Sequence, residues 1–290
     1  MNRRAVAALL FPLVLVGGAR AAAGDDASDF RELLERVSPS IVGLKVVLKT
    51  EFDFGGSLQD QESTLDARGA VVDPSGLILV WNSQISASRL VEAAQQMGGG
   101  EALQLKITPT DFHVTVDGHG KEYRAFLVGQ DSDLDVAFLQ IEDLLERPLP
   151  AIDFEKVGTA RLGEEVVGVS RLSPRFDGAP YFETGRIAGE VRKPRRAWVL
   201  DASPALLGLP VFNLRGEPVG VVATVLSKVA ESGPSGADMM GFFALGRGGV
   251  ESGPLGLFLL PAERIRGVVR EAKKRAATLL AERLEEKKAS

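Results

Sequence analysis

The chain has 290 residues, 45% hydrophobic and 25% charged, which excludes an intrinsically disordered protein. It has no cysteine and only two histidines, His113 and His119, so disulfides, zinc–thiolate sites, iron–sulfur clusters and a cysteine nucleophile are ruled out. A net charge of −5 argues against a nucleic-acid partner.

The first 23 residues read as a targeting segment. Arg3 and Arg4 precede an apolar run from Ala5 to Val16, Gly17-Gly18 breaks it, and small residues up to Ala23 offer a cleavage site. The run is shorter than the roughly 20 residues that span a bilayer, so a secretory signal peptide is expected, and no membrane span after its removal. The mature protein would be periplasmic or secreted and begin between Ala22 and Gly24. Phe30, Leu33, Leu34 and Val37 share one face of a helix over Asp29–Val37, stopped by Ser38-Pro39.

IVGLKVVLK is β-branched and predicts a strand, whereas residues 51–66, polar and acidic with Gly55-Gly56, predict a surface loop. AVV and LILV flank the turn Asp73-Pro74-Ser75-Gly76 as a hairpin. A short helix is expected from Ser88 to Met97. FHVTV and EYRAFLV form a second hairpin around Asp117-Gly118-His119-Gly120, and DVAFLQI follows as a strand. Residues 143–160, with Pro148 and Pro150, read as a linker between lobes.

EEVVGV, FETGRIAGEV, AWVLDA, PVFNL, EPVGVV and GLFLL read as further short strands, with a glycine-, serine- and proline-rich loop over 232–254. Strands this short and this often interrupted argue for an all-β barrel or sandwich. The end is helical: Ile265, Val268, Val269, Ala272, Ala276, Leu279, Leu280 and Leu284 recur every three or four residues. That stripe fits a helix lying on the domain's flank, with a coiled coil or partner helix as the alternative.

Three segments together resemble one family. ARGAVVDPSGLILVWNSQI, DGHGKEYRAFLVGQDSDLDVAFLQI and LDASPALLGLPVFNLRGEPVGVV are similar, in order, to the segments carrying histidine, aspartate and serine in trypsin-like serine proteases of the bacterial HtrA/Deg type. VSPSIVGLKV, ETGRIAGEV and LGLFLLPAERI agree with the same pattern. The resemblance implies two six-stranded β-barrels with the site between them, flanked by N- and C-terminal helices. On it, the chain divides into a signal peptide (1–23), a helix and first barrel (24–145), a linker (146–160), a second barrel (161–262) and a C-terminal helix (263–290). It leaves no residues for the PDZ domain that usually follows.

In this family a serine oxygen attacks the scissile carbonyl, histidine takes its proton, aspartate orients the histidine, and backbone N–H groups stabilise the oxyanion. Carried over residue by residue, the histidine position falls on Ser83, the aspartate on Asp135 and the serine on Leu207. Ser83 is no base near neutral pH and Leu207 has no nucleophilic atom. In the oxyanion loop Ala205 and Leu209 replace glycines, while Gly208 and Pro210 remain. No intact catalytic set is left. Asp135 also has a plainer reading, as an acid hydrogen-bonded to Ser83 and nearby amides. A Ser203–His113 pair is an alternative supported by residue type alone.

Arg192, Lys193, Arg195 and Arg196 make a basic cluster, read as a solvated turn or a patch for an acidic partner. Asp131, Asp133 and Asp135 alternate as in a calcium loop, but its other ligands are lacking, so no metal is expected. The Gly-rich segments lack a following Lys-Ser/Thr, and no cofactor is implied. The expected function is that of a pseudoprotease, a peptide- or protein-binding scaffold, chaperone-like factor or regulator. The alternatives are an active endopeptidase using non-family residues and a structural subunit assembling through its C-terminal helix; homo-oligomers are left open.

Overall fold

A computed structural model describes residues 25–54, 57–86, 105–116, 121–142, 147–193, 195–223 and 257–289. The expected signal segment, the helix over 88–97, His119 and the loop over 232–254 lie outside these residues. Helix α1 (Asp25–Val37) leads into β1 (Ile41–Phe54), β2 (Ser57–Asp73), β3 (Leu77–Trp81), the single turn α2 (Asn82–Ile85), β4 (Leu105–Thr115), β5 (Glu122–Asp131) and β6 (Val136–Ile141). After the connector come β7 (Glu165–Arg171), β8 (Pro180–Val191), β9 (Ala197–Asp201), β10 (Pro210–Phe212), β11 (Pro218–Ala223), β12 (Leu257–Pro261) and helix α3 (Ala262–Ala289). The strands close into two antiparallel barrels, ordered β1-β2-β3-β6-β5-β4 and β10-β11-β12-β9-β8-β7.

The strands at the centre are apolar on both faces because they serve two cores. Along β3, Ile78 and Val80 point into the first barrel, while Leu77 and Leu79 point outward into a core shared by both barrels. Along β7, Val166 faces the second barrel's interior, and Val167 and Val169 join the shared core. Leu33 and Val37 of α1 and Ile265, Val269, Ala272 and Ala276 of α3 complete it. Each Leu, Val or Ile among them, fully buried, contributes roughly 1.5–3 kcal/mol. The shared core fixes one barrel against the other.

Helix α3 is about 42 Å long at 1.5 Å per residue, and it crosses from β11 and β12 to β5 and β6. Arg270 pairs with Glu155 of the connector, and Lys273 reaches Asp73 beside the β2–β3 turn at 3.2 Å. Arg283 meets Glu142 at 2.5 Å and lies over the Phe126 ring at 4.2 Å. The apolar stripe is thus spent on the protein's own barrels.

The expected loop over 51–66 is the clearest correction to the sequence reading: residues 51–54 and 57–66 are strand. β1 and β2 remain paired from Ile41↔Ala70 out to Phe54↔Ser57, and β4 lines the other side of β1 as far as Phe52↔Leu105. Backbone pairing on both sides of β1 holds the segment, without the dense β-branched pattern that marks buried strands. The connector is also firmer than a linker. Leu149 and Ile152 donate backbone N–H groups to Pro74 and Val71 of the first barrel, and Gly158 donates to Pro218 of the second. Helix α1 starts four residues earlier than the periodicity predicts.

Candidate functional site

Strand β3 ends on Trp81, which pairs in register with Val136 at the start of β6. That register sets Trp81 and Ser83, on the first turn of α2, against Asp135. The Asn82 N–H donates to the Asp135 carbonyl at 3.0 Å and closes the junction. Asp135 adopts φ +54°, a left-handed conformation that aspartate tolerates better than most residues. Its approach is shaped by Asp131, whose Oδ1 accepts the Leu134 N–H at 2.9 Å.

The Asp135 side chain is 7% exposed and is held by two side chains. Trp81 Nε1–H donates to Oδ2 at 2.6 Å, and Ser83 Oγ lies 2.7 and 2.8 Å from the two carboxylate oxygens. A hydroxyl has one proton, so Ser83 gives it to the carboxylate and presents only lone pairs elsewhere. Neither donor is a base of useful strength near neutral pH. The Ser83 contact was legible in the sequence. The Trp81 contact was missed, because tryptophan on a strand reads as core; the signal was its place two residues before Ser83.

The second barrel faces this corner with the segment between β9 and β10. Ser203 caps a 3-10 turn over Pro204–Leu206, its Oγ accepting the Ala205 N–H at 3.2 Å. The Leu207 N–H donates to Pro204 O at 3.1 Å, and the Gly208 N–H to Val222 O at 2.8 Å. The amides of Ala205 and Leu207 are therefore engaged inside their own segment, and that of Gly208 is engaged by β11. Leu206 is buried beneath Gly168, where an added Cβ would lie 2.5 Å from its methyl carbons. Leu209 is fully buried, while Leu207 is half-buried against the second barrel's core.

The two halves touch at Gly208. It has φ +73°, and a Cβ there would lie 2.4 Å from Trp81 Cβ and 2.7 Å from Trp81 N. Only glycine meets both demands. The fold therefore brings the segment of Ala205, Leu207, Gly208 and Leu209 against the corner of Ser83 and Asp135. It does not join Ser203 to His113: no hydrogen bond links them among the described residues. His113 sits in β4 opposite Lys45 of β1 and Arg124 of β5.

Next to this junction a cleft of about 330 Å³ opens between Lys45, Asp66 and Arg68 of the first barrel and Ser173, Pro174 and Asp177 of the second. Arg171 forms its floor. Its guanidinium donates to Ile41 O at 2.5 Å, Ser38 O at 2.7 Å and Gly178 O at 3.0 Å, and its own carbonyl accepts from Arg68 Nε. Sequence reading overlooked this buried arginine, which resembles any other cation at a strand end. Among the described residues no group of three or more His, Asp or Glu side chains is placed to hold a metal.

Two closed six-stranded antiparallel barrels, meeting where Trp81, Asp135 and the β9–β10 segment converge, define a trypsin-like fold. Residues 69–221 match the trypsin-like peptidase domain, and the chain belongs to that family. Its relatives are of the HtrA/Deg type. It is 26% identical over 258 residues to a probable periplasmic serine endoprotease DegP-like of Hahella chejuensis, covering 77% of this chain and 48% of that protein. Proteins of the same description from Ectopseudomonas mendocina and Pseudomonas fulva are 23% and 24% identical, covering 78% and 77% of this chain and 50% and 49% of theirs. The chain thus spans about half the length of the curated relatives it matches.

Proposed function

We propose that this protein is an exported HtrA/Deg-type homologue that binds a peptide or protein in the inter-barrel cleft without hydrolysing it. One observation carries the reading: the hydroxyl, carboxylate and amides that stand at the family's catalytic positions are engaged with partners inside the protein. Acyl transfer needs a nucleophile beside a base, and free N–H groups aimed where the oxyanion forms. Here the Ser83 hydroxyl donates to Asp135, Leu207 offers only methyl groups, and the Ala205 and Leu207 amides donate within their own turn. Loss of nucleophile or base alone typically costs about a millionfold in turnover. A cleft between the barrels offers mostly apolar surface together with charged groups of both signs, which suits a peptide segment of mixed character. Export rests on the N-terminal segment and on the periplasmic relatives.

The test is incubation with unfolded casein and, in parallel, with a fluorophosphonate probe. Casein retained by the immobilised protein, uncleaved and with no serine labelled, is the expected outcome. Cleavage that tracks the pure protein, or a labelled serine, overturns the proposal in favour of an endopeptidase using non-family residues. Failure to retain casein removes the binding half. The variant Ser83→His with Leu207→Ser should stay inactive, because the Ala205 and Leu207 amides remain committed. Assembly through the C-terminal helix loses ground, since Ile265, Val269, Ala272 and Ala276 are buried in the shared core.

A further inference from the structure

Between helix α3 and the outer face of the first barrel lies a cavity of about 510 Å³, within the size range of small-molecule sites. It shares no lining residue with the inter-barrel cleft. One wall is the C-terminal half of α3, where Leu280 and Leu284 are half-buried. Beside them stand Ala277 and Ala281, both exposed, where larger side chains would fill the gap. The opposite wall comes from the β2–β3 turn and from β6.

Gln140 is the unusual residue of that second wall. Along β6, Leu139 points into the first barrel and Phe138 outward into the shared core, so alternation turns Gln140 outward, beneath α3. It is fully buried. Its Nε2 donates to Ser75 O at 2.8 Å and to Ile141 O at 3.3 Å, while its Oε1 accepts no bond among the described residues. A buried acceptor left unmade costs stability, and native proteins usually satisfy it with a water or a bound group. A water needs two to four polar partners, and Ala277, Leu280, Ala281 and Leu284 offer it only hydrocarbon. Of the lining residues only Asp73 and Lys273 are charged, and they pair with each other at 3.2 Å. Asp73 also accepts the Ser75 N–H at 3.0 Å.

We propose that this cavity binds an uncharged amphiphile, an aliphatic chain carrying one hydroxyl or amide N–H donor. The donor bonds to Gln140 Oε1, and the chain lies along Leu280 and Leu284. A charged head would find its counter-charge already paired, in Asp73 with Lys273. A hydrocarbon without a donor would leave Gln140 as it is. The bound molecule would touch both α3 and the first barrel, so occupancy should also raise the unfolding temperature. The site stands apart from the peptide reading of the inter-barrel cleft, and neither depends on the other.

The test is isothermal titration calorimetry of the purified protein with 1-octanol, 2-octanone, octanoate and octylammonium as probes. 1-Octanol should bind saturably at one site per chain, about fivefold tighter than 2-octanone, which keeps the chain but has no donor. Both charged probes should bind more weakly than 1-octanol. Gln140→Met, which removes the acceptor and keeps the bulk, should bring the alcohol down to the level of the ketone. Ala277→Phe with Ala281→Phe, placed at exposed helix positions, should abolish binding with an unchanged far-ultraviolet spectrum. No saturable binding of 1-octanol overturns the proposal. So does equal affinity for alcohol and ketone, tighter binding of a charged probe, or alcohol binding that survives in the filled variant. A folded Gln140→Met protein that still prefers the alcohol overturns it too. Should that variant fail to fold, the alcohol–ketone ratio and the filled variant decide.

Discussion

The two barrels reach their junction by different means. The first presents polar side chains and consumes them among themselves: Trp81 and Ser83 both donate to Asp135. The second presents almost nothing but backbone, and it consumes that too, in a tight turn capped by Ser203. Polar side chains can be exchanged one at a time, so a corner built from them depends on which residues are present. A turn built from amide-to-carbonyl bonds depends instead on backbone shape, and so on Gly208 and the buried Leu206 and Leu209 beside it. Repairing side chains alone therefore leaves the second half as it is.

The contrast is broken most severely at Asp135. Asp135→Ala strips the acceptor from two donors in a buried corner and should destabilise the fold by about 4 kcal/mol in urea unfolding. Ser83→Ala, which leaves the Trp81 bond intact, should cost about 1 kcal/mol. Equal costs for the two would show that Trp81 draws nothing from the carboxylate. On the second barrel the matching change is Gly208→Ala, which combines positive φ with a collision against Trp81 and should cost about 3 kcal/mol. Ala205→Gly tests the same loop without a collision and should cost under about 1 kcal/mol. If Gly208→Ala were as mild, the barrels would not meet at that glycine.

The smallest effect belongs to the helix that ties the barrels together. Burial works against the Asp73 charge, but the Ser75 backbone N–H and hydroxyl and the Lys273 ammonium outweigh it, holding the carboxyl below its ordinary value. The hydrogen-bonded Arg270 guanidinium likewise holds Glu155 low. A carboxyl depressed in the fold adds stability above its unfolded pKa and loses it as pH falls through the folded value. Thermal unfolding should therefore soften below about pH 4. Lys273→Ala should flatten part of that acid dependence while costing about 1 kcal/mol at pH 7, because the pair is half-buried and still partly screened by solvent. An unchanged acid slope in that variant would detach Asp73 from the effect.

Strands with β-branched runs and sharp turns were readable at once: LILVW, VAFLQI and the Asp73–Gly76 turn all stand where their pattern indicates. Those residues carry their own signal, burial with a period of two and a turn sequence between. Residues 51–54 and 57–66 carry no such signal, since their strand state comes from pairing of β1 with β2 on one side and with the more distant β4 on the other. The site divides in the same way. Ser83 beside Asp135 follows from the resemblance, which sets these two residues at the family's histidine and aspartate positions. The engaged amides of Ala205 and Leu207 do not, because no residue name says where an N–H points.

The shared core has a consequence for how this chain acquires its structure. Leu33 and Val37 come from the beginning of the described chain, and Ile265, Val269, Ala272 and Ala276 from its end, yet all six pack in one cluster. Strands β1 to β6 can close a barrel with what the first half of the chain provides. The interface between the barrels must wait for α3, more than two hundred residues after α1. Contacts so remote in sequence are slow to form, because the loop-closure entropy is lost before the packing is gained. A half-synthesised chain thus holds one finished barrel with Leu77 and Leu79 still uncovered, and it reaches its native state only when its last helix arrives.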